Sequence, residues 1–310
     1  MKQQTNEPIA LALGNFDGLH RGHALVLQGA KQLSRASSRA CGVLLFDEHP
    51  RQVLCGQTPP LLLTGEEKRR RLENAGFRVL VLPFRETKDL SPEAFVQLLQ
   101  TRFHVEAVCC GKNYRFGKDA AGTAQTLQTL CARLGIEVQV VPDVQYRGVL
   151  ISASRIRRAI ENGEMEEANA MLLHPFSYTL PVVPGDRRGR ALGFPTANQF
   201  FLPQMIRPRA GVYASKVFLN GVWYPAVTNI GIRPTIGTET FRSETCILGF
   251  SGDLYGQLLT VQPLHYLRGE QKFSDLAALQ AAMENDAARA KEVLQRDEAS
   301  NETANQSGLL

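Results

Sequence analysis

Residues 9–23, Ile9-Ala10-Leu11-Ala12-Leu13-Gly14-Asn15-Phe16-Asp17-Gly18-Leu19-His20-Arg21-Gly22-His23, constrain the fold more than any other stretch. Five apolar residues read as a buried strand that Gly14 ends. Gly18 and Gly22 let the backbone turn tightly and approach a ligand, and Leu25, Leu27, Ala30 and Leu33 give the following helix one buried side. The spacing predicts His20 and His23 on one face of that helix's first turn, beside backbone N–H groups without partners inside the helix, where the macrodipole favours negative charge. Such a site suits an anion, most simply a polyphosphate. A zinc-ligand pair or two solvated histidines are the competing readings. Zinc would need two further ligands, and no Cys-x-x-Cys or third clustered histidine supplies them. No Gly-x4-Gly-Lys-Ser/Thr loop occurs, so a P-loop is not the phosphate cradle.

The rest of the first half alternates strands with helices. Gly42 to Phe46, Arg78 to Leu82 and Val105 to Cys110 read as buried strands; Thr64-Gly65-Glu66-Glu67 and Ser91-Pro92-Glu93 read as helix starts with their caps. This rhythm predicts a parallel sheet covered on both faces. Polar residues at the carboxyl ends of such strands line ligand crevices, which puts His49 either in the cleft or on an idle loop. The loop Gly111-Lys112-Asn113-Tyr114-Arg115-Phe116-Gly117-Lys118 stands in a similar place. Further on, Ile151-Ser152-Ala153-Ser154 opens a helix whose first turn holds Arg155, Arg157 and Arg158. Three cations at the positive end of a helix dipole conflict electrostatically, and a bound anion resolves the conflict.

At 310 residues the chain has room for two cores, and His174-Pro175 ends the α/β pattern. The expected domains are residues 1–174 and 175–296, with a disordered polar tail over 297–310. In the second domain Asn220-Gly221 signals a hairpin, and further strands at Glu244 to Phe250 and Leu258 to Pro263 suggest a largely closed antiparallel sheet. Ser274 is expected to cap a final helix that packs across it. Thr196 and Asn198, two apart in an extended segment, project to one side as a shared magnesium ion would need, although Pro195-Thr196-Ala197-Asn198 taken alone is an ordinary turn. Glu244 shares parity with Cys246, Leu248 and Phe250, so its carboxylate is partnered or functional.

Lys+Arg of 35 against Asp+Glu of 30 leaves a net charge of +5, suited to anionic small molecules. The one dense run, Lys68 to Arg71, fits the solvated face of a helix better than a nucleic-acid patch. Six cysteines without framework spacing read as buried thiols in a reducing compartment. With no apolar run near the ~20 residues that span a bilayer and no signal-peptide core, the expected location is the cytoplasm.

The string Gly14-Asn15-Phe16-Asp17-Gly18-Leu19-His20-Arg21-Gly22-His23 resembles the His-x-Gly-His signature of the nucleotidylyltransferases, and in its fuller form the prokaryotic FAD synthetases. The resemblance implies that Gly14, Phe16, Asp17 and Gly18 bind nucleotide while His20 and His23 stabilise a triphosphate whose α-phosphorus is attacked by another phosphate. The Gly111 to Gly117 loop is similar to a family motif that implies nucleotide contact by Asn113 and flavin-lining aromatics. Ser154 and Arg157 resemble the Ser-Ser/Thr-x-x-Arg element, which implies that they hold ATP phosphates. Ala153 stands there where a hydroxyl is commoner, a loss of ~1 kcal/mol of hydrogen bonding.

Gly189-Arg190-Ala191-Leu192-Gly193-Phe194-Pro195-Thr196-Ala197-Asn198 looks like the signature of riboflavin kinases. It implies nucleotide binding by Gly185, Arg190, Gly193 and Pro195, magnesium on Thr196 and Asn198, and Glu244 as catalytic base. Together these imply an α/β fold: a Rossmann-like nucleotidylyltransferase domain with a parallel sheet, then an antiparallel β-barrel kinase domain with a terminal helix. The implied activity is bifunctional, riboflavin to FMN and FMN to FAD, with ATP as co-substrate and Mg2+ as cofactor. A riboflavin kinase with a weakened adenylyltransferase domain and a non-catalytic flavin-binding regulator are the alternatives. The partners expected are small molecules, with neither nucleic acid nor membrane among them.

Overall fold

The computed structural model describes residues 7–185, 193–235 and 238–306. They form two compact units, one holding the chain up to Ala153 with Met171–Leu173, the other Ser154–Ala170 with the chain from His174.

In the first unit the order is β1 Ile9–Leu13, α1 Arg21–Ala36, β2 Ala40–Phe46, α2 Pro50–Cys55, α3 Gly65–Asn74, β3 Arg78–Leu82, α4 Phe84–Thr87, α5 Pro92–Phe103, β4 Val105–Gly111, β5 Arg115–Phe116, β6 Gly122–Thr123, α6 Ala124–Arg133 and β7 Glu137–Val141, closed by the small hairpin β8 Gln145–Tyr146 and β9 Val149–Leu150. Five strands pair in parallel in the order β3-β2-β1-β4-β7. Every residue of β1 is buried, and alternate side chains serve opposite layers. Ile9, Leu11 and Leu13 pack with Phe95 and Leu99 of α5 and Leu127 of α6. Ala10 and Ala12 face the other way, where their small size lets α1 approach through Val26, Ala30 and Leu33. Each fully buried leucine is worth about 1.5–3 kcal/mol. The caps fall as the sequence predicts: Thr64 Oγ1 accepts from the Glu67 N–H at 3.2 Å, and Ser91 Oγ from that of Ala94 at 3.2 Å. Strand order reverses between β1 and β4, which opens a crevice at their carboxyl ends.

The second unit carries α7 Ala153–Asn162 from its second residue and α8 Met165–Met171 up to Ala170. Its six-stranded antiparallel sheet runs β10 Tyr178–Pro181, β15 Leu258–Arg268, β12 Gly211–Leu219, β13 Val222–Thr235, β14 Thr238–Ile247 and β11 Ala197–Phe200 in spatial order. The two edges nearly close: a bridge links Val183 to Asn198, and the buried Gln199 amide donates to Leu180 O at 2.7 Å and Leu259 O at 2.8 Å. Asn220 and Gly221, with φ of 51° and 82°, make the expected hairpin turn between β12 and β13.

The terminal helix, Leu276–Gln306, packs Ala290 and Leu294 on Val212, Ala214 and Leu267 of the barrel. Its cap is one residue later than the sequence suggests: Asp275 Oδ1 accepts from the Ala278 N–H at 2.8 Å, and Ser274 Oγ donates to Asp275. The helix also continues past Arg296, where composition suggests disorder. Asp297 lies 2.7 Å from His265 Nε2 and Glu298 accepts from Lys216 Nζ at 2.8 Å, so acids that read as solvated dock these turns on the barrel. The helical segment before His174 also joins this unit, through Arg209 N–H to Ile160 O at 3.2 Å, Phe176 N–H to Asn169 Oδ1 at 2.8 Å and Glu166 to His265 Nδ1 at 2.7 Å.

Candidate functional site

Each unit presents its own site. In the first, the turn from β1 into α1 holds Phe16, Gly18 and Leu19 at φ of 49°, 75° and 46°, a left-handed run that costs non-glycine residues energy and persists only when its surroundings enforce it. Phe16 is fully buried, its ring under Gly14 and 5.2 Å from the ring of His23. At Gly18 a Cβ would stand 2.6 Å from Leu62 Cδ1.

His20 caps α1 and His23 is its third residue, and their bonds are reciprocal. His20 Nδ1 accepts from the His23 N–H, and His23 Nδ1 accepts from the His20 N–H, each at 3.3 Å. With both Nδ1 atoms used as acceptors, this network places the ring proton of each neutral imidazole on Nε2. The rings stack 3.6 Å apart at 17°. Burial pulls His20 down to about 4 and His23 well below its ordinary value, the latter helped by the neighbouring charges of His20 and Lys68. At neutral pH the pair therefore offers two uncharged N–H donors, and an arriving anion raises their proton affinity.

Around this turn, Asp17 is buried, and His49 approaches Asn15 from the segment between β2 and α2. His49 caps α2, its Nδ1 accepting from the Arg51 N–H at 3.2 Å, and its Nε2 lies 3.2 Å from the Asn15 side-chain amide. Asn113 stands exposed in the loop after β4. Tyr114 and Phe116 in that loop stack on each other and pack against the core around Phe95. Ser154 and Arg157 lie on the first turn of α7, in the second unit, and Arg155 beside them is paired with Glu167 at 2.7 Å.

The second site is built by register. Asn198 on β11 pairs with Glu244 on β14, which pairs with Asn229 on β13, so the three side chains share one face across three strands. A cavity of about 400 Å³ lies against this row; Thr196, Asn229, Arg242, Glu244, Cys246 and Phe273 are among its walls. Glu244 thus faces the same way as Cys246 and Leu248, as its parity predicts. Arg242 forms an ion pair with it. Across the cavity, Arg268 makes a forked pair with the buried Asp286 of the terminal helix, at 2.9 and 2.7 Å. A second cavity, lined by Phe250, Gly252 and Tyr255, also has Pro195 and Thr196 in its wall. Thr196 is common to both.

Gly185 approaches Asn198 so closely that a Cβ would lie 2.3 Å from its Nδ2. Gly193 adopts φ of 81° and Arg190 lies outside the described residues. Asn229 escapes sequence reasoning because only strand pairing brings it to Glu244, whereas Arg242 lies two residues before Glu244 on β14 and shares its parity, a signal the sequence does offer. Thr196, Asn198, Asn229 and Glu244 supply hard oxygen donors of the kind magnesium takes. Among the described residues no cluster of three or more His, Cys, Asp or Glu could hold a metal.

Comparisons agree with this division. A family model described as FAD synthetase matches residues 2–155, and one described as riboflavin kinase matches residues 172–294. The bifunctional riboflavin kinase/FMN adenylyltransferase of Listeria monocytogenes is 35% identical over 281 residues, 89% of each chain. Those of Bacillus subtilis and Escherichia coli K12 are each 34% identical, over 89% of both chains for the first and over 94% of this chain and 95% of the relative for the second. A crystal structure named as a macrolide-efflux protein from Streptococcus pneumoniae matches with a TM-score of 0.85 at 30% identity, covering 93% of this chain and 95% of that one. No described helix is long and apolar enough to cross a membrane. With the two family matches falling one on each unit's site, and relatives alike over about nine-tenths of the length, the chain belongs to the bifunctional riboflavin kinase/FMN adenylyltransferase family.

Proposed function

We propose that the barrel phosphorylates riboflavin to FMN with ATP, and that the N-terminal unit joins FMN to the AMP part of a second ATP, giving FAD and pyrophosphate. In the adenylyl step an FMN phosphate oxygen attacks the α-phosphorus and the bond to pyrophosphate breaks. His20 and His23 direct their Nε2–H groups at the oxygens on which charge accumulates, a preorganised electrostatic assistance that requires no covalent enzyme intermediate. Gly14, Phe16, Asp17, Gly18 and Asn113 are assigned to nucleotide binding, and Ser154 and Arg157 to its phosphates.

In the kinase step Glu244 takes the proton of the ribityl 5′-hydroxyl as that oxygen attacks the γ-phosphorus and ADP leaves. Arg242 orients the carboxylate. The flavin occupies the cavity walled by Glu244, and the nucleotide the cavity lined by Tyr255, so that transfer takes place at their common wall, Thr196. Thr196 and Asn198 would hold magnesium, which when bound screens the phosphate charges. Gly185, Arg190, Gly193 and Pro195 are assigned to the phosphates.

The observation that carries the two-reaction reading is the intact His20–His23 donor pair: Ala153 removes one hydroxyl from α7 and leaves that pair complete. The test is chromatography of the flavins formed from riboflavin, ATP and magnesium, with a parallel reaction started from FMN. FAD is expected in both. FMN without FAD would confine catalysis to the barrel, and no conversion by folded protein would remove the enzyme reading.

A further inference from the structure

Lys68 departs from the arginines that follow it. Along α3, the exposed Arg69 and Arg70 pair with Glu73 at 2.7 Å and Glu67 at 2.8 Å, as the solvated face that composition suggests, while the less exposed Arg71 also pairs with Glu67 at 2.6 Å. Lys68 turns inward. Its Nζ donates to the main-chain oxygen of Asn15 at 3.3 Å, within the left-handed turn between β1 and α1. Asp17 and His23 are close enough to act on it or be acted on by it: the Asp17 carboxylate steadies the ammonium, and the ammonium opposes protonation of His23.

Charge around the turn is unbalanced for the ligand it would take. His20 and His23 are neutral, so Lys68 and Asp17 sum to zero, while a polyphosphate brings several negative charges. One long bond to a neutral carbonyl leaves the ammonium with two further N–H donors, and desolvation already pulls it below its ordinary value, so an added anionic acceptor is favourable.

We propose that Lys68 is the cationic member of the His20–His23 anion site, its ammonium binding a phosphate oxygen of the nucleotide polyphosphate and of the pyrophosphate released. The inference rests on the adenylyl-transfer reading for its substrate, and on the placement of Lys68 for its residue. Without Lys68 the cluster loses its ammonium beside the His20–His23 pair and holds the anion less tightly. With arginine in its place the charge is kept.

The test uses the full chain and inorganic pyrophosphate. Lysine acetylation by an N-hydroxysuccinimide ester is mapped by peptide mass spectrometry with and without pyrophosphate. Labelling of Lys68 is expected to fall at least fivefold, while that of exposed Lys291 stays unchanged. Unchanged labelling of Lys68 at pyrophosphate concentrations that inhibit FAD formation would overturn the proposal.

In a second arm, Lys68→Met is expected to raise the KM for ATP and the inhibition constant of pyrophosphate in the adenylyl step tenfold or more. Lys68→Arg stays within about threefold. Riboflavin phosphorylation by the same preparations reports folding. Wild-type pyrophosphate inhibition in Lys68→Met would also overturn it. A wild-type protein that makes FMN and no FAD would instead fail the adenylyl-transfer reading, and the labelling result would still decide whether Lys68 binds the anion.

Discussion

The imidazole of His265 and the carboxylate of Asp297 meet at 2.7 Å, joining β15 of the barrel to the terminal helix. The other ring nitrogen meets Glu166 of α8 at 2.7 Å. Hydrogen bonding to Glu166 first, then to Asp297, lifts the imidazole to about 9 against the opposition of burial. A histidine raised in this way stabilises the fold fully below its unfolded value near 6.5 and loses that contribution as pH climbs through about 9. Because both carboxylates are partly exposed, the contribution is about 1–2 kcal/mol. Urea unfolding at pH 6 and pH 9.5 should show this loss in the wild type and little pH dependence of that origin in His265→Gln. An equal loss in both proteins would exclude the latch.

The neutral state of His20 and His23 predicts a second pH behaviour. Since burial keeps both rings unprotonated well below pH 6.5, kcat/KM for FAD formation should show no histidine-like titration between pH 6 and 8 in the free protein. Substituting alanine for either removes one N–H donor and should lower kcat for FAD formation by about 10²–10³, the usual cost of losing a preorganised donor. FMN formation should remain. A bell-shaped profile centred near pH 6.5 would contradict the neutral state of the pair.

For the barrel, Glu244→Gln keeps size and hydrogen bonding while removing the proposed base. Riboflavin phosphorylation should fall by about 10²–10⁴, and FAD formation from supplied FMN should persist. Flavin binding followed by fluorescence should change little, because the cavity keeps its walls. Retention of kinase activity would move the base elsewhere.

Gly185→Ala tests the support of Asn198 without touching the donor atoms. The new methyl group would lie 2.3 Å from Asn198 Nδ2, so the amide must shift. The expected result is at least a tenfold rise in the magnesium concentration needed for half-maximal kinase rate, with riboflavin affinity preserved. Unaltered magnesium dependence would detach Asn198 from the metal.

Much of this was legible where the signal is local. The stretch from Ile9 to His23 encodes its strand, its glycines and the His20–His23 juxtaposition in one window, although His20 caps α1 from just outside instead of standing in its first turn, and Asn220-Gly221 specifies a hairpin in two residues. Arg147-Gly148 makes the same kind of turn between β8 and β9, with φ of 52° and 75°, and passes unnoticed because arginine is no turn signal. Lys68 was hidden by its arginine neighbours, since a charge run conceals which member turns inward. Parity placed Glu244 on the cavity side, and the same parity holds for Arg242 two residues earlier on β14, yet Asn229 joined them only through strand pairing that no sequence window contains. Asp297 and Glu298 looked like a disordered tail because their partners, His265 and Lys216, lie 32 and 82 residues earlier in the chain.

With Glu244 as the proposed base, the row Asn198–Glu244–Asn229 ties chemistry to folding fidelity. Each residue belongs to a different strand, and side chains alternate between faces at every step. A slip of one residue in β14 would bring Ser243 or Thr245 to the cavity and send a carboxylate toward the barrel interior. A misregistered barrel could keep its strand content, and much of its compactness, while losing all kinase activity at once. Turnover is in that sense a proofreading signal, since only the correctly zipped barrel can produce it.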